Sequence, residues 1–232
     1  MLIRCLAPRR RPQRGLSVVE MMVGIAVGLF VVAVATLMVG SQLGENRKLL
    51  IDTQLQQDLR ATADIITREL RRAGAWTDAE TGVASTVLPS ATQNPQTTIT
   101  VSSSPGAVTY MYSRSGVNPN SFGFRLANGA IEAQMATTSG YQKLTDETTM
   151  VVDTFQITEQ DSTAFTTLPI ACQKLCSDGT SNCWPTAVVR SLAFSITAHS
   201  ASDTSVTRSI NSTVRLRNDV LRFNNGTSYC PT

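Results

Sequence analysis

The sequence predicts an α+β protein in which one long N-terminal helix packs on a head made of an antiparallel β-sheet. Two observations predict the helix: an uncharged apolar run from Met21 to Val39, and an amphipathic pattern that continues from it towards Gly74. A third observation predicts the head, because short runs rich in Thr, Val and aromatic residues alternate with turn residues over the rest of the chain.

The apolar run predicts a transmembrane helix over about residues 21–40, since a helix needs about twenty residues to cross the hydrocarbon core. Basic residues precede this run and few follow it closely, so the positive-inside rule places the N-terminus in the cytoplasm and the rest of the chain outside. A secretory signal peptide is the alternative, but its apolar region is shorter and a small-residue cleavage site follows it.

The net charge of +3 overstates how basic the protein is. Five of the twenty Lys and Arg residues precede Gly15, which leaves fifteen against seventeen Asp and Glu in the body of the chain. Nucleic-acid binding requires a basic face on the folded protein, and here the excess of basic residues is confined to the short segment before Gly15. The composition therefore argues against general nucleic-acid binding.

A single carboxylate, Glu20, stands at the start of the apolar run. Near the membrane interior such a charge costs about 2.5 to 3.5 kcal/mol on insertion scales, so it is normally kept for a partner or a function. A simple membrane anchor does not need this residue. Glu20 therefore points to a more specialised helix.

The segment around Glu20 resembles the class III signal of type IV prepilins. A basic leader ends in Gly15, and Leu16, Ser17 and two valines lead to Glu20 and the apolar helix. The resemblance implies that prepilin peptidase cleaves between Gly15 and Leu16 and that the new amino group of Leu16 is methylated. It also implies an assembly role for Glu20, which would pair with the terminal amine of a neighbouring subunit.

The same resemblance implies a domain organisation and a location. Residues 1–15 would be the leader peptide, residues 16–74 a spine helix, and residues 75–232 an extracytoplasmic head. The protein would reside in the inner membrane with its head in the periplasm, and then in the pilus. Its partners would be prepilin peptidase, other minor pilins, the major pilin, the inner-membrane assembly platform and the membrane.

The run "SINSTVRLRND" near the C-terminus, together with "GIAVGLF" in the membrane helix, is similar to PilW-type minor pilins. This resemblance implies a minor pilin that primes or caps a type IV pilus. Two alternatives stay open. One is a pseudopilin of type II secretion, and the other is a module at the pilus tip that binds a surface or DNA.

Local patterns place the remaining elements. Apolar residues recur every three or four positions in the amphipathic half of the helix, and Gly74 is a suitable C-cap. Residues 76–95 are rich in Thr, Ser, Ala, Gly and Pro, which predicts a loop. Asn128-Gly129 stands between two alternating runs and predicts a β-hairpin. The apolar positions of the helix are Ile51, Leu55, Leu59, Ile66 and Leu70.

Four cysteines remain once Cys5 is lost with the leader, and an even number on the oxidising side of a membrane predicts two disulfides. Three pairings are possible, of which we favour Cys176 with Cys183 and Cys172 with Cys230. A zinc site is the competing interpretation, but the sequence has a single histidine and no Cys-x-x-Cys pair. We therefore expect no metal.

The sequence contains no recognisable catalytic motif. It lacks a phosphate-binding loop, a dinucleotide fingerprint and a His-x-x-x-His pair, and His199 has no nucleophile motif beside it. We expect neither enzymatic activity nor a cofactor, and His199 is predicted to be solvated or hydrogen-bonded. Arg215, Arg217 and Arg222 are interpreted as the solvated face of one strand.

Overall fold

The structure is a computed structural model that describes residues 15, 17–79, 94–103, 106–113, 121–135, 140–161 and 167–222. The chain divides into two compact units, Met1–Leu49 and Leu50–Thr232. Most of the loop predicted over residues 76–95 lies outside the described residues, as do Leu16 and Cys230.

The first unit contains the beginning of helix α1, which spans Val18–Leu70. It is long and apolar enough to cross a membrane, and no part of its apolar window is buried within the chain. The large apolar side chains between Val18 and Val39 are 50–77% exposed. Such a surface needs an apolar environment, because water solvates it poorly.

In the second unit, α1 buries one stripe of side chains against the head. The stripe follows the helical period and ends with Ile66 and Leu70, both 0% exposed. Gly74, the predicted C-cap, adopts a left-handed φ of 76°, but α1 ends earlier at Leu70 and the N–H of Gly74 donates to Met111 O at 2.8 Å. The buried positions are Leu55, Leu59, Thr62, Ala63, Ile66 and Leu70.

The head contains eleven described strands, and all of their pairings are antiparallel. In chain order they are β1 Ile99–Ser103, β2 Gly106–Met111, β3 Ser121–Ala127, β4 Ala130–Gln134, β5 Gln142–Lys143, β6 Met150–Asp161, β7 Thr167–Pro169, β8 Thr186–Val188, β9 Arg190–Ser200, β10 Asp203–Arg215 and β11 Val220–Arg222.

The strands form three sheets where the sequence predicted one. Strands β1 to β5 make a meander, β10-β9-β6 make a second sheet, and β11-β8-β7 make a small third sheet. β6 does not pair with the meander, although it contacts β1, β2, β3 and β4. The predicted α+β class, a long helix packed on an antiparallel β head, is confirmed.

The hairpin predicted at Asn128-Gly129 joins β3 to β4. Both residues have positive φ, 51° for Asn128 and 74° for Gly129. A two-residue loop with two positive φ angles is the type I′ turn that matches the twist of the flanking strands. The local sequence is therefore sufficient to set this turn.

One hydrophobic core holds the second unit together. Apolar side chains of α1 pack with those of the meander and of the β10-β9-β6 sheet in a single buried cluster. An aromatic group lies within it, in which Tyr112 stacks on Phe122 with ring centroids 4.0 Å apart. Burial raises the pKa of Tyr110 well above its ordinary value, so its hydroxyl stays neutral.

Candidate functional site

The start of α1 is the first candidate site. Gly15 is exposed, and α1 begins at Val18, so that Ser17 is the N-cap. The backbone N–H of Ser17 donates to Oε2 of Glu20 at 3.2 Å. This is the glutamate half of a capping box, in which the N3 side chain reaches back to the N-cap.

This bond was not among the predictions, although the Ser-x-x-Glu spacing of Ser17 and Glu20 signals it in the sequence. Glu20 therefore has a hydrogen-bond donor within its own chain. The bond supplies a dipole but no opposite charge. A carboxylate in an apolar environment still lacks a cation, which the described residues do not place beside it.

The cysteine-containing loop between β7 and β8 is the second candidate site. Cys176 and Cys183 form a disulfide with Cα atoms 5.8 Å apart, which is the pairing that the sequence analysis favoured. Cys172 is also disulfide-bonded. The expected partner of Cys172, Cys230, lies outside the described residues.

Hydrogen bonds organise the turn inside this disulfide. The N–H and hydroxyl of Thr180 donate to Oδ1 of Asp178 at 2.9 and 2.8 Å. The backbone hydrogen bond between these residues, followed by the hydroxyl hydrogen bond, lowers the pKa of Asp178. The N–H of Cys176 donates to Thr180 O at 2.8 Å, which closes the turn.

Trp184 follows the disulfide and is half-buried. Its indole Nε1–H donates to Lys174 O at 3.0 Å, so the ring braces the loop. Leu175 beside it is 57% exposed. The loop is a disulfide-closed structure with a modest apolar surface.

His199 is hydrogen-bonded, as predicted. Its Nδ1 lies 2.8 Å from Oδ1 of Asp153, which occupies the bulge between Val152 and Thr154 in β6. Among the described residues, no three His, Cys, Asp or Glu side chains are grouped so that they could hold a metal ion.

The interpretation of Arg215, Arg217 and Arg222 as one strand face is wrong. β10 ends at Arg215, Arg222 belongs to β11, and Arg217 lies in the connection between these strands. The connection is tied to the end of α1, because Nδ2 of Asn218 donates to Ala73 O at 3.0 Å. This contact brings Arg217 to arginines of α1 that are remote in sequence.

An open cavity of about 570 Å³ lies where these segments meet, and we call it the arginine groove. It is lined by Arg68, Arg71, Arg72 and Arg217, with Asp64 and Asn218 on the wall. Nη1 of Arg72 contacts Oε1 of Glu69 at 2.9 Å. A hydrogen bond with Tyr112 and the charge of Glu69 raise the pKa of Arg72.

Comparisons with known proteins give one family and one solved structure. The family described as Prepilin peptidase-dependent protein B matches residues 48–216, which is well over half of the 232-residue chain. A type IV-like pilin from Thermus thermophilus has a similar structure, with a TM-score of 0.42 and 16% identity, over 71% of this chain and 97% of that chain. No curated protein sequence is significantly similar. The family match covers most of the head and the amphipathic half of α1, and the chain therefore belongs to the prepilin peptidase-dependent protein B family.

Proposed function

We propose that the protein is a minor pilin, a structural subunit that primes or caps the assembly of a type IV pilus. In this proposal prepilin peptidase cleaves between Gly15 and Leu16, and the amino group of Leu16 is methylated. The mature chain then sits in the inner membrane with its head in the periplasm until it enters the filament.

One observation carries the proposal: the helix begins with Glu20 and an apolar segment that is not buried within the chain, and it continues into a head of the prepilin peptidase-dependent family. The exposed helix suits a bilayer before assembly and an apolar filament core after it. Family membership supports the processing step, since the family's description names dependence on this peptidase.

The charge of Glu20 fits the same proposal. Ser17 gives its carboxylate a hydrogen bond but no cation. Cleavage at Gly15 would create a positive amino group on Leu16, at the end of the helix where Glu20 lies. A neighbouring subunit that offers this amine would offset both charges in the apolar core.

Determination of the mature N-terminus by mass spectrometry tests the proposal. We expect a chain that begins with methylated Leu16, and a Gly15→Leu variant that keeps its leader and remains about fifteen residues heavier in the inner membrane. Gly24→Leu is the matched control, because nothing lies within 4 Å of a Cβ at Gly24. Normal-sized mature protein from Gly15→Leu would overturn the processing step.

The type II secretion pseudopilin is the alternative class, and loss of the gene separates the two. A minor pilin should lose surface pili while secretion continues, whereas a pseudopilin should lose secretion of exported enzymes. The PilW-type assignment is the finer form of this proposal and predicts the pilus phenotype.

A further inference from the structure

We propose that the arginine groove is a docking surface for an acidic segment of another filament subunit. The kind of partner rests on the proposed function, whereas the preference for carboxylates rests on the groove itself. The groove belongs to the second unit and is separate from the start of α1, where the processing signal lies.

The groove is built by the fold and is not a random surface cluster. α1 ends at Leu70, and tight turns follow, in which Arg72 N–H donates to Glu69 O and Ala73 N–H to Leu70 O, both at 3.0 Å. The hydrogen bond from Asn218 to Ala73 O then holds the β10–β11 connection against these turns. Arg217 therefore lines the same cavity as Arg68 of α1 and as Arg71 and Arg72 of the turns that follow it.

A second cavity of about 340 Å³ adjoins the same wall. It is lined by Arg71, Arg215, Leu216 and Arg217, so it shares Arg71 and Arg217 with the arginine groove. The two cavities therefore lie next to each other, with these two arginines lining both. An extended segment would contact both cavities, which a single small ion would not.

The arginines in the groove are not balanced by their own chain. Within the described residues, Arg68, Arg71 and Arg217 have no carboxylate oxygen within 4.0 Å. The groove itself holds one carboxylate, Asp64, against four arginines, although the body of the chain after Gly15 has fifteen basic and seventeen acidic residues. Gathering like charges is unfavourable unless a partner supplies the opposite charge.

The dipole of α1 is a simpler explanation for part of this pattern, because cations are favoured in the last turn of a helix. It accounts for Arg68, which is the basic residue of the last turn. It does not account for Arg217, which reaches the groove from another segment through the anchor at Asn218. The fold therefore adds positive charge beyond what the helix end requires.

The geometry favours an acidic protein segment over nucleic acid. Guanidinium groups bind carboxylates in a bidentate manner, and arginine is enriched at protein interfaces. Nucleic acid engages an extended basic face with many phosphate contacts. In this groove three arginines have no carboxylate oxygen within 4.0 Å among the described residues, Asp64 lies on the wall, and the body of the chain is net acidic. A short acidic segment supplies the carboxylates that bind the arginines of the groove.

A binding experiment with the full-length chain, as it is isolated in detergent micelles, tests the groove. The probe is a fluorescent hexaglutamate peptide, and the variant is Arg71→Gln with Arg217→Gln. Arg47→Gln with Arg60→Gln is the matched control, because both residues are exposed on α1 outside the groove and the charge change is the same. We expect binding to weaken at least tenfold in the groove variant and less than twofold in the control.

Other results of this experiment would overturn the proposal. Absent peptide binding, or an equal loss in both variants, would mean that the groove does not recognise carboxylates. Tighter binding of a 20-base-pair DNA duplex, or of inorganic phosphate, that depends on Arg71 and Arg217 would identify a phosphate ligand instead. Thermal unfolding of each variant, expected to match the parent, excludes misfolding as the cause.

A crosslinking experiment in cells tests the partner. A photo-crosslinking residue at position 71 should capture an acidic segment of another pilin-type subunit, and the same residue at position 60 should not. Arg71→Glu should abolish the native contact, and reversal of the captured acidic residue to arginine should restore it. Capture of a non-acidic segment, or no restoration, would overturn the proposal.

Failure here is distinguishable from failure of the proposed function. Cleavage and methylation at Leu16 are measured on the same variants. Normal processing with no acidic capture would refute the docking surface alone. Absent processing would refute the minor-pilin proposal, and the peptide experiment would still decide whether the groove binds carboxylates.

Discussion

Asp52 in α1 and Arg208 in β10 form an ion pair with one hydrogen bond. Oδ1 of Asp52 lies 2.7 Å from Nε of Arg208, and Oδ2 accepts from Nη2 at 2.8 Å. The side chains are 23% and 45% exposed, so water and salt screen the pair. It joins the amphipathic half of the helix to the long strand of the second sheet.

We expect a modest coupling energy for this pair. A double-mutant cycle with Asp52→Asn and Arg208→Gln should give about 0.5–1 kcal/mol in the free energy of unfolding, falling in about 1 M salt. The pair Arg215–Asp219, at 3.9 Å and 69% and 36% exposed, is the control and should give nearly zero. Equal coupling energies in the two pairs would contradict a special role for the Asp52–Arg208 pair.

The packing of α1 on the head predicts a large effect at Leu70. Its side chain is 0% exposed in the core, so Leu70→Ala should lower the free energy of unfolding by about 2–5 kcal/mol. Leu50→Ala, at a position 73% exposed on the same helix, should change it by less than about 0.5 kcal/mol. Chemical denaturation of the full chain in detergent measures both, and similar losses would mean that the packing is wrong.

The hairpin predicts that Gly129 resists substitution. Its φ of 74° strains any residue with a Cβ, and that Cβ would lie 3.1 Å from Cγ1 of Val151. Gly129→Ala should destabilise the head by about 1–2 kcal/mol in thermal unfolding. Gly140→Ala is the control, since nothing lies within 4 Å of its Cβ. An unchanged melting temperature for Gly129→Ala would refute the type I′ turn.

The cysteines predict a native protein without free thiols. Cys176 and Cys183 are bonded to each other and Cys172 is disulfide-bonded, so alkylation before reduction should label no cysteine of the mature chain. Replacing both Cys176 and Cys183 with serine should cost about 2 kcal/mol, since their bond closes a short loop. Mass spectrometry counts the labels, and two or more before reduction would argue against two bridges.

Substitutions of Glu20 separate helix capping from charge pairing. Glu20→Ala should leave insertion and cleavage intact, because alanine removes an insertion cost, but should reduce crosslinks to partner pilins and the number of surface pili. Glu20→Gln retains an acceptor for the N–H of Ser17 and removes the charge. If charge pairing governs assembly, Gln should behave like Ala.

The matched control for Glu20 is Glu45→Ala, which removes an exposed carboxylate from the same helix. It should leave crosslinks and pili unchanged. Normal piliation in Glu20→Gln together with a loss in Glu20→Ala would mean that capping is the function of Glu20. Normal piliation in both variants would mean that Glu20 is not an assembly contact.

Short-range patterns in the sequence determined the elements of this protein. The apolar run and the three- and four-residue spacing of apolar residues determined α1. Asparagine and glycine accept positive φ angles, which determined the turn at Asn128-Gly129. Cys176 and Cys183 are seven residues apart in the sequence, which made their disulfide predictable. Each of these depends on neighbours a few residues apart. The capping bond of Glu20 was readable in the same way from Ser17, although the sequence analysis missed it.

Only the tertiary structure decided how the elements meet. Three features join residues that are far apart in the chain. They are the division of the strands into three sheets, the ion pair between Asp52 and Arg208, and the arginine groove. Arg217 was interpreted as part of a strand face because its side chain alternates with apolar neighbours in the sequence. Such alternation indicates a strand but does not show where the strand ends. Its approach to Arg71 depends on packing between Asn218 and the end of α1, for which local patterning carries no signal.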